Sequence, residues 1–240
     1  MERLFTIPVN EAFENAAGDA GGCPFCALVE KLTNDEVDLI LGASMMEPDV
    51  RIKTNEAGFC DRHFPMLFEG GKRLPLALML ESHVARVRER MKPSGLASLV
   101  PSKAGAASAK TVSEIAKSCY LCDRIEYNLS RMIETAALLW ESESAFREKT
   151  EAVPFFCLPH YARFLDAAKE RLSGREFGEF FSALSKKEDG YIASLGDDVS
   201  AFCRSFDYRQ GGEPLTDAEK RAPERARDFL AGKPVEQAKK

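Results

Sequence analysis

No run of apolar residues in this chain is long enough to cross a bilayer. The opening MERLFTIPVNEAFENAAGDAGG, with Glu2 near its start, never builds the apolar core of a secretory leader. Positive charge is not in surplus either: 33 Lys and Arg against 38 Asp and Glu leave a formal net charge of −5. That balance argues against nucleic acid as a partner, because phosphate binding draws on clustered Lys and Arg, and it leaves room only for local basic patches. Strand-like alternation is nearly absent. These absences set the expectation of a soluble, cytoplasmic protein. Thiols stay reduced in that compartment, so seven cysteines, an odd number, point to metal binding or catalysis before a disulfide framework. What is present is ample apolar material, 45% of 240 residues, enough for one large core or two small ones.

The cysteines are organised by an internal duplication. Cys23-x-x-Cys26 is followed after 33 residues by Cys60-x-x-His63, and Cys119-x-x-Cys122 is followed after 34 by Cys157-x-x-His160. The halves therefore repeat at an offset of 96 to 97 residues. The approach to each second pair repeats too: RIKTNEAGFCDRHF in the first half and REKTEAVPFFCLPHY in the second, with Arg51, Lys53, Thr54 and Glu56 matched by Arg147, Lys149, Thr150 and Glu151. Only Cys203 and His83 lie outside the motifs.

Each pair opens a helical pattern. After Cys119 and Cys122 the apolar positions Ile125, Leu129, Met132, Ile133, Ala136 and Trp140 recur at spacings of three and four, and Phe164, Leu165, Ala168 and Leu172 continue from Cys157 and His160. Residues at i and i+3 share a helix face, and free N–H groups at a helix start favour thiolate over thiol. Two such starts facing each other supply three sulfurs and one nitrogen, the set zinc takes in structural sites. The sequence thus predicts eight metal ligands, Cys23, Cys26, Cys60, His63, Cys119, Cys122, Cys157 and His160, holding two Zn2+ per chain. Iron–sulfur clusters on the same ligands are the alternative; they usually take four cysteines. A redox pair is a further reading, weakened because CPFC follows a Gly-rich segment and no buried strand. Near-equal local spacing favours one site per half. The crossed arrangement, Cys23 and Cys26 with Cys157 and His160, stays open. Zinc with four protein ligands has no vacant position for water, so closed sites are structural and no reaction is assigned.

The remaining candidates are less telling. His83 lies on the apolar stripe Leu76, Met79, Leu80, His83, Val87 and reads as a buried, hydrogen-bonded histidine; Cys203 reads as a small core residue. GASMMEPDVR, residues 42–51, reads as a surface connection that interrupts the repeat, with ligand or partner binding as the minority reading. HVARVRERMK carries a basic face, by default solvated, with an anionic partner as the minority reading. KPSGLASLVPSKAGAASAK, residues 92–110, reads as a mobile linker. In the tail, Thr216 caps and Gly232 stops one last short helix.

The stretches CPFC, MEPDVRIKTNEAGFCDRHF, LALMLESH and FDYR resemble an uncharacterised bacterial family, catalogued as a domain of unknown function and frequent in anaerobic Firmicutes. The likeness spans most of the chain and implies no activity. Some members of that family carry an automatic label of ABC-transporter substrate-binding protein, which this sequence supports little: it shows no export signal and no alternation of strands and helices.

The expected fold is all-α: two tandem repeats of about three helices with approximate two-fold symmetry, each with a Cys3His site at helix N-termini. The expected domains are residues 1–91, a linker 92–110, a second repeat 111–210, and a C-terminal helix and tail 211–240. The expected function is that of a zinc-binding helical protein, a binder or scaffold for an unknown protein or small-molecule ligand.

Overall fold

The structure is a computed structural model describing residues 5–18, 21–92, 101–207 and 214–235. Among these residues it is all-helical, with twelve α-helices and no strand. In chain order they are α1 (Thr6–Asn15), α2 (Pro24–Ile40), α3 (Pro48–Ala57), α4 (His63–Glu69), α5 (Arg73–Arg90), α6 (Pro101–Lys117), α7 (Tyr120–Ser142), α8 (Ser144–Ala152), α9 (Leu158–Arg171), α10 (Gly174–Arg204), α11 (Asp217–Lys220) and α12 (Ala222–Ala231).

Local chemistry sets many of these boundaries. Pro48 at the first turn of α3 supplies a preset φ where no N–H partner is needed, and Gly58 ends the helix with φ 61° and ψ −152°. Ser173 starts the 31-residue α10 with a reciprocal capping box to Glu176, and Thr216 does the same for α11 with Glu219.

Four expectations change here. Residues 48–51 of the GASMMEPDVR segment belong to α3, preceded by a 3-10 turn over Ala43–Met46, and with α1 the described part of residues 1–91 holds five helices where about three were expected. Of the stretch read as a linker, 101–110 is helix, because Ala-rich sequence has high helix propensity without an apolar period; 93–100 lies outside the described residues. The tail forms two helices broken at Arg221 where one was expected. Cys203 is exposed, on the outer side of α10, and not a core residue.

The chain forms two compact units that do not follow the two sequence halves. One takes the chain up to Lys31 and from Asn128 onward; the other is Leu32–Tyr127. The core of the first is a phenylalanine cluster in which Phe13, Phe25, Phe146, Phe156, Phe164 and Phe180 are all fully buried. Their rings meet edge-on or tilted, for example Phe25 and Phe164 at 5.0 Å and 74°. In this unit α9 and α12 pack on α10. The second unit buries Ile40, Leu41, Leu67, Leu76, Met79 and Leu121, and α5 packs along α3. There the basic face of α5 is partly used internally: Arg86 meets Glu56 at 2.6 Å, and Arg90 donates to the Glu56 carbonyl. The buried Glu36 carboxylate is matched by Arg124 at 2.9 Å.

Candidate metal centre

All four ligand pairs sit at helix starts, as the periodicity predicts. Cys23 precedes α2 and Cys26 lies in its first turn; Cys119 precedes α7 and Cys122 lies in its first turn; Cys60 leads through a turn into His63, the first residue of α4; Cys157 is the N-cap of α9 and His160 lies two residues inside.

The pairs meet across the sequence halves. Cys23, Cys26, Cys157 and His160 form one quartet, and Cys60, His63, Cys119 and Cys122 form the other; within each, every donor atom lies within 4.8 Å of the rest. The local arrangement favoured by spacing is thereby corrected. The cause is visible in the backbone. In the second unit the strip before Cys60 is bound to the strip before Cys122: Tyr120 N–H donates to the Gly58 carbonyl at 2.9 Å, and the Ser118 hydroxyl donates to the Ala57 carbonyl at 2.8 Å. In the first unit Gly18 N–H donates to the Ala152 carbonyl at 3.1 Å, and Lys149 reaches Asn10 and Glu14 of α1. In each unit, then, the segment preceding a CxxC pair is tied to the end of the helix preceding the other half's CxxH pair.

The distances suit a single small ion. In the first quartet Cys26 and Cys157 sulfurs are 3.6 Å apart, and His160 Nδ1 lies 3.6, 3.5 and 3.2 Å from the sulfurs of Cys23, Cys26 and Cys157. In the second, Cys60 and Cys122 are 3.7 Å apart, with His63 Nδ1 at 3.3, 3.4 and 3.5 Å from Cys60, Cys119 and Cys122. A tetrahedron built on zinc–sulfur bonds of about 2.3 Å and a zinc–nitrogen bond of about 2.0 Å has sulfur–sulfur edges of about 3.8 Å and sulfur–nitrogen edges of about 3.5 Å. Each quartet could hold a metal ion.

Electrostatics points the same way. Burial pushes the Cys119 thiol up to about 12 and the Cys23 thiol well above its usual range, whereas hydrogen bonds from Cys157 and Cys23 hold Cys26 far below it. Packed thiols without a cation cannot all ionise; a dication at the centre removes that conflict. Burial, with the charge of Arg62, lowers His63 to about 4, leaving a neutral ring whose Nδ1 lone pair is free to coordinate.

The two centres are not equal. Cys23, Cys26 and Cys157 are buried, whereas Cys60 and Cys122 are half-buried. Arg62 donates to the Cys122 sulfur at 3.5 Å, offsetting negative charge at the more open site. At the first site Gly232, in a left-handed conformation with φ 83°, runs so close that an added Cβ would lie 3.5 Å from the Cys157 sulfur and 3.6 Å from that of Cys26. Neither Arg62 nor Gly232 is singled out by the sequence. Arg62 occupies a variable slot of CxxH, and Gly232 reads only as a helix stop. His83 is a structural residue, as its stripe suggests: its ring is half-buried, its Nδ1 hydrogen-bonds the Asn55 carbonyl at 2.8 Å, and its far side fills the space above Gly58.

Among the described residues no helix is long and apolar enough to cross a membrane. The model of a family described as a family of unknown function (DUF6062) matches residues 1–237. No curated protein and no solved structure matches the chain.

Proposed function

We propose, since the chain belongs to the DUF6062 family and that family's description assigns no activity, that it is a zinc-stabilised helical protein with one structural Cys3His ion in each compact unit. The observation that carries this reading is the closeness of the donors: all four in each quartet lie within 4.8 Å. A multi-iron cluster places irons and bridging sulfides between its cysteines and needs a wider frame, so this spacing supports one ion over a cluster. Three thiolates and a neutral imidazole favour zinc among the divalent ions, and four protein donors leave no open position for substrate. Each centre would carry about one net negative charge, which Arg62 offsets at the second site. The role that follows is binding or scaffolding for a small molecule or protein, not metal-centred catalysis.

Elemental analysis and a visible spectrum of anaerobically purified protein test this reading. The expected result is a colourless protein with about two zinc ions per chain, and Cys119→Ser should remove about one of them. A brown protein with broad visible absorption and stoichiometric iron would replace zinc with the iron–sulfur alternative; a preparation without bound metal would end both.

A further inference from the structure

Beside the first quartet lies a cavity of about 380 Å³, lined in part by Cys23 and Cys26. That volume falls within the range of small-molecule sites, about 300–1,000 Å³. One wall is aromatic: Phe155 and Tyr191 line it, stacked on each other with ring centres 4.4 Å apart and planes 19° from parallel. Another wall is bare backbone. A Cβ built on Gly22 meets no atom within 4 Å, so this residue leaves the cavity open. The rim is charged, with Arg221, Arg225 and Asp228 at spacings of four and three along α12, and Lys233 and Glu30 beside them.

The charges at the rim do not cancel. Arg225 is paired with Asp198 and held 5.7 Å over the Tyr191 ring. Asp228 accepts from Arg227 at 2.7 Å, and Glu30 faces Lys233 at 3.8 Å. Each carboxylate thus has its cation, and Arg221, an exposed lining residue, has no carboxylate partner among the described residues. The surplus is one positive charge beside an aromatic pair and a backbone wall.

We propose that this cavity binds a small aromatic molecule bearing an oxyanion, packed against the Phe155–Tyr191 pair, with its carboxylate or phosphate meeting Arg221. Arginine suits the role because its planar fork accepts both anions in the same bidentate geometry. The inference needs the cavity and its rim, not the metal.

Calorimetry and saturation-transfer NMR on the full-length, metal-loaded protein test it with three probes: benzoate, phenyl phosphate and neutral benzamide. Saturable binding is expected for at least one anion, at least about tenfold tighter than for benzamide, and whichever anion binds more tightly distinguishes carboxylate from phosphate. Gly22→Leu fills the open space without a backbone clash, and Arg221→Gln removes the surplus charge at an exposed position. Each should weaken that binding about tenfold or more while metal content and helical signal stay unchanged. Equal affinity for benzamide, no saturable binding of either anion at millimolar concentration, or binding untouched by Gly22→Leu would overturn the proposal. Metal content measured on the same samples separates the two readings: metal-free protein that still binds benzoate sinks the zinc assignment alone.

Discussion

Individual residues carry most of what is distinctive at the two centres. At Gly58 the backbone takes φ 61°, and an added Cβ would lie 2.3 Å from His83 Nε2. Gly58→Ala should therefore combine a backbone cost of about 1–3 kcal/mol with displacement of the His83 ring, read as a lower urea midpoint and weaker metal retention at the second site. His63 supplies a pH dependence. Its folded-state value of about 4 lies below the ordinary 6.5, so in metal-free protein the unfolded chain takes up a proton that the fold refuses. The contribution of His63 to stability is then complete above about pH 6.5 and is lost as the pH falls toward 4; His63→Asn should flatten urea midpoints over that window. Glu188 works in the opposite sense. One of its oxygens accepts from Phe156 N–H at 2.8 Å while the other is buried without a partner, and burial raises it to about 7. Because its folded value lies above its unfolded one, stability is lost as the pH rises from about 4.5 toward 7. Glu188→Gln keeps an acceptor for Phe156 and should raise stability at pH 8 by about 1 kcal/mol.

At the scale of the element, caps and stripes were readable and connections were not. Every CxxC and CxxH pair falls at a helix start because the same apolar positions that continue each helix also point its first-turn side chains toward the core. The Thr216 cap and the Gly232 stop were equally plain, since a hydroxyl acceptor and a left-handed residue have few other uses at those positions. α3 has no signature in the sequence because only Thr54 of its ten residues is buried, which leaves no apolar stripe. The expectation of one helix in the tail overlooks Pro223, which has no N–H to continue α11 and sits in the first turn of α12, so the chain breaks at Arg221. The capping box of α10 offers a test: Ser173→Ala should cost about 1 kcal/mol by urea denaturation, with metal content unchanged, because the cap lies outside both quartets.

At the scale of the whole molecule, the eight residues that gather into the two quartets are legible in the sequence and their partnership is not. Spacing of 33 and 34 residues makes a local site equally reachable, and the hydrogen bonds that decide against it, Tyr120 to Gly58 and Gly18 to Ala152, are backbone contacts with no side-chain signature. Crossing is testable by dissection. Residues 1–91 and 111–240 expressed apart should each fail to hold an ion tightly, since neither contains a whole quartet, and together they should recover about two zinc ions. One tightly held ion in each separate fragment would restore the local arrangement. Crossing also nests the centres in the order of synthesis: the inner set is complete once Cys122 has been added, whereas the outer set waits for His160. At about 5–20 residues per second, the ribosome adds those intervening residues over about 2–8 s. Until Cys157 is added, Cys23 and Cys26 lack both a third sulfur and an imidazole of their quartet, so on the proposed reading the outer centre can fill only after the inner one is complete in sequence.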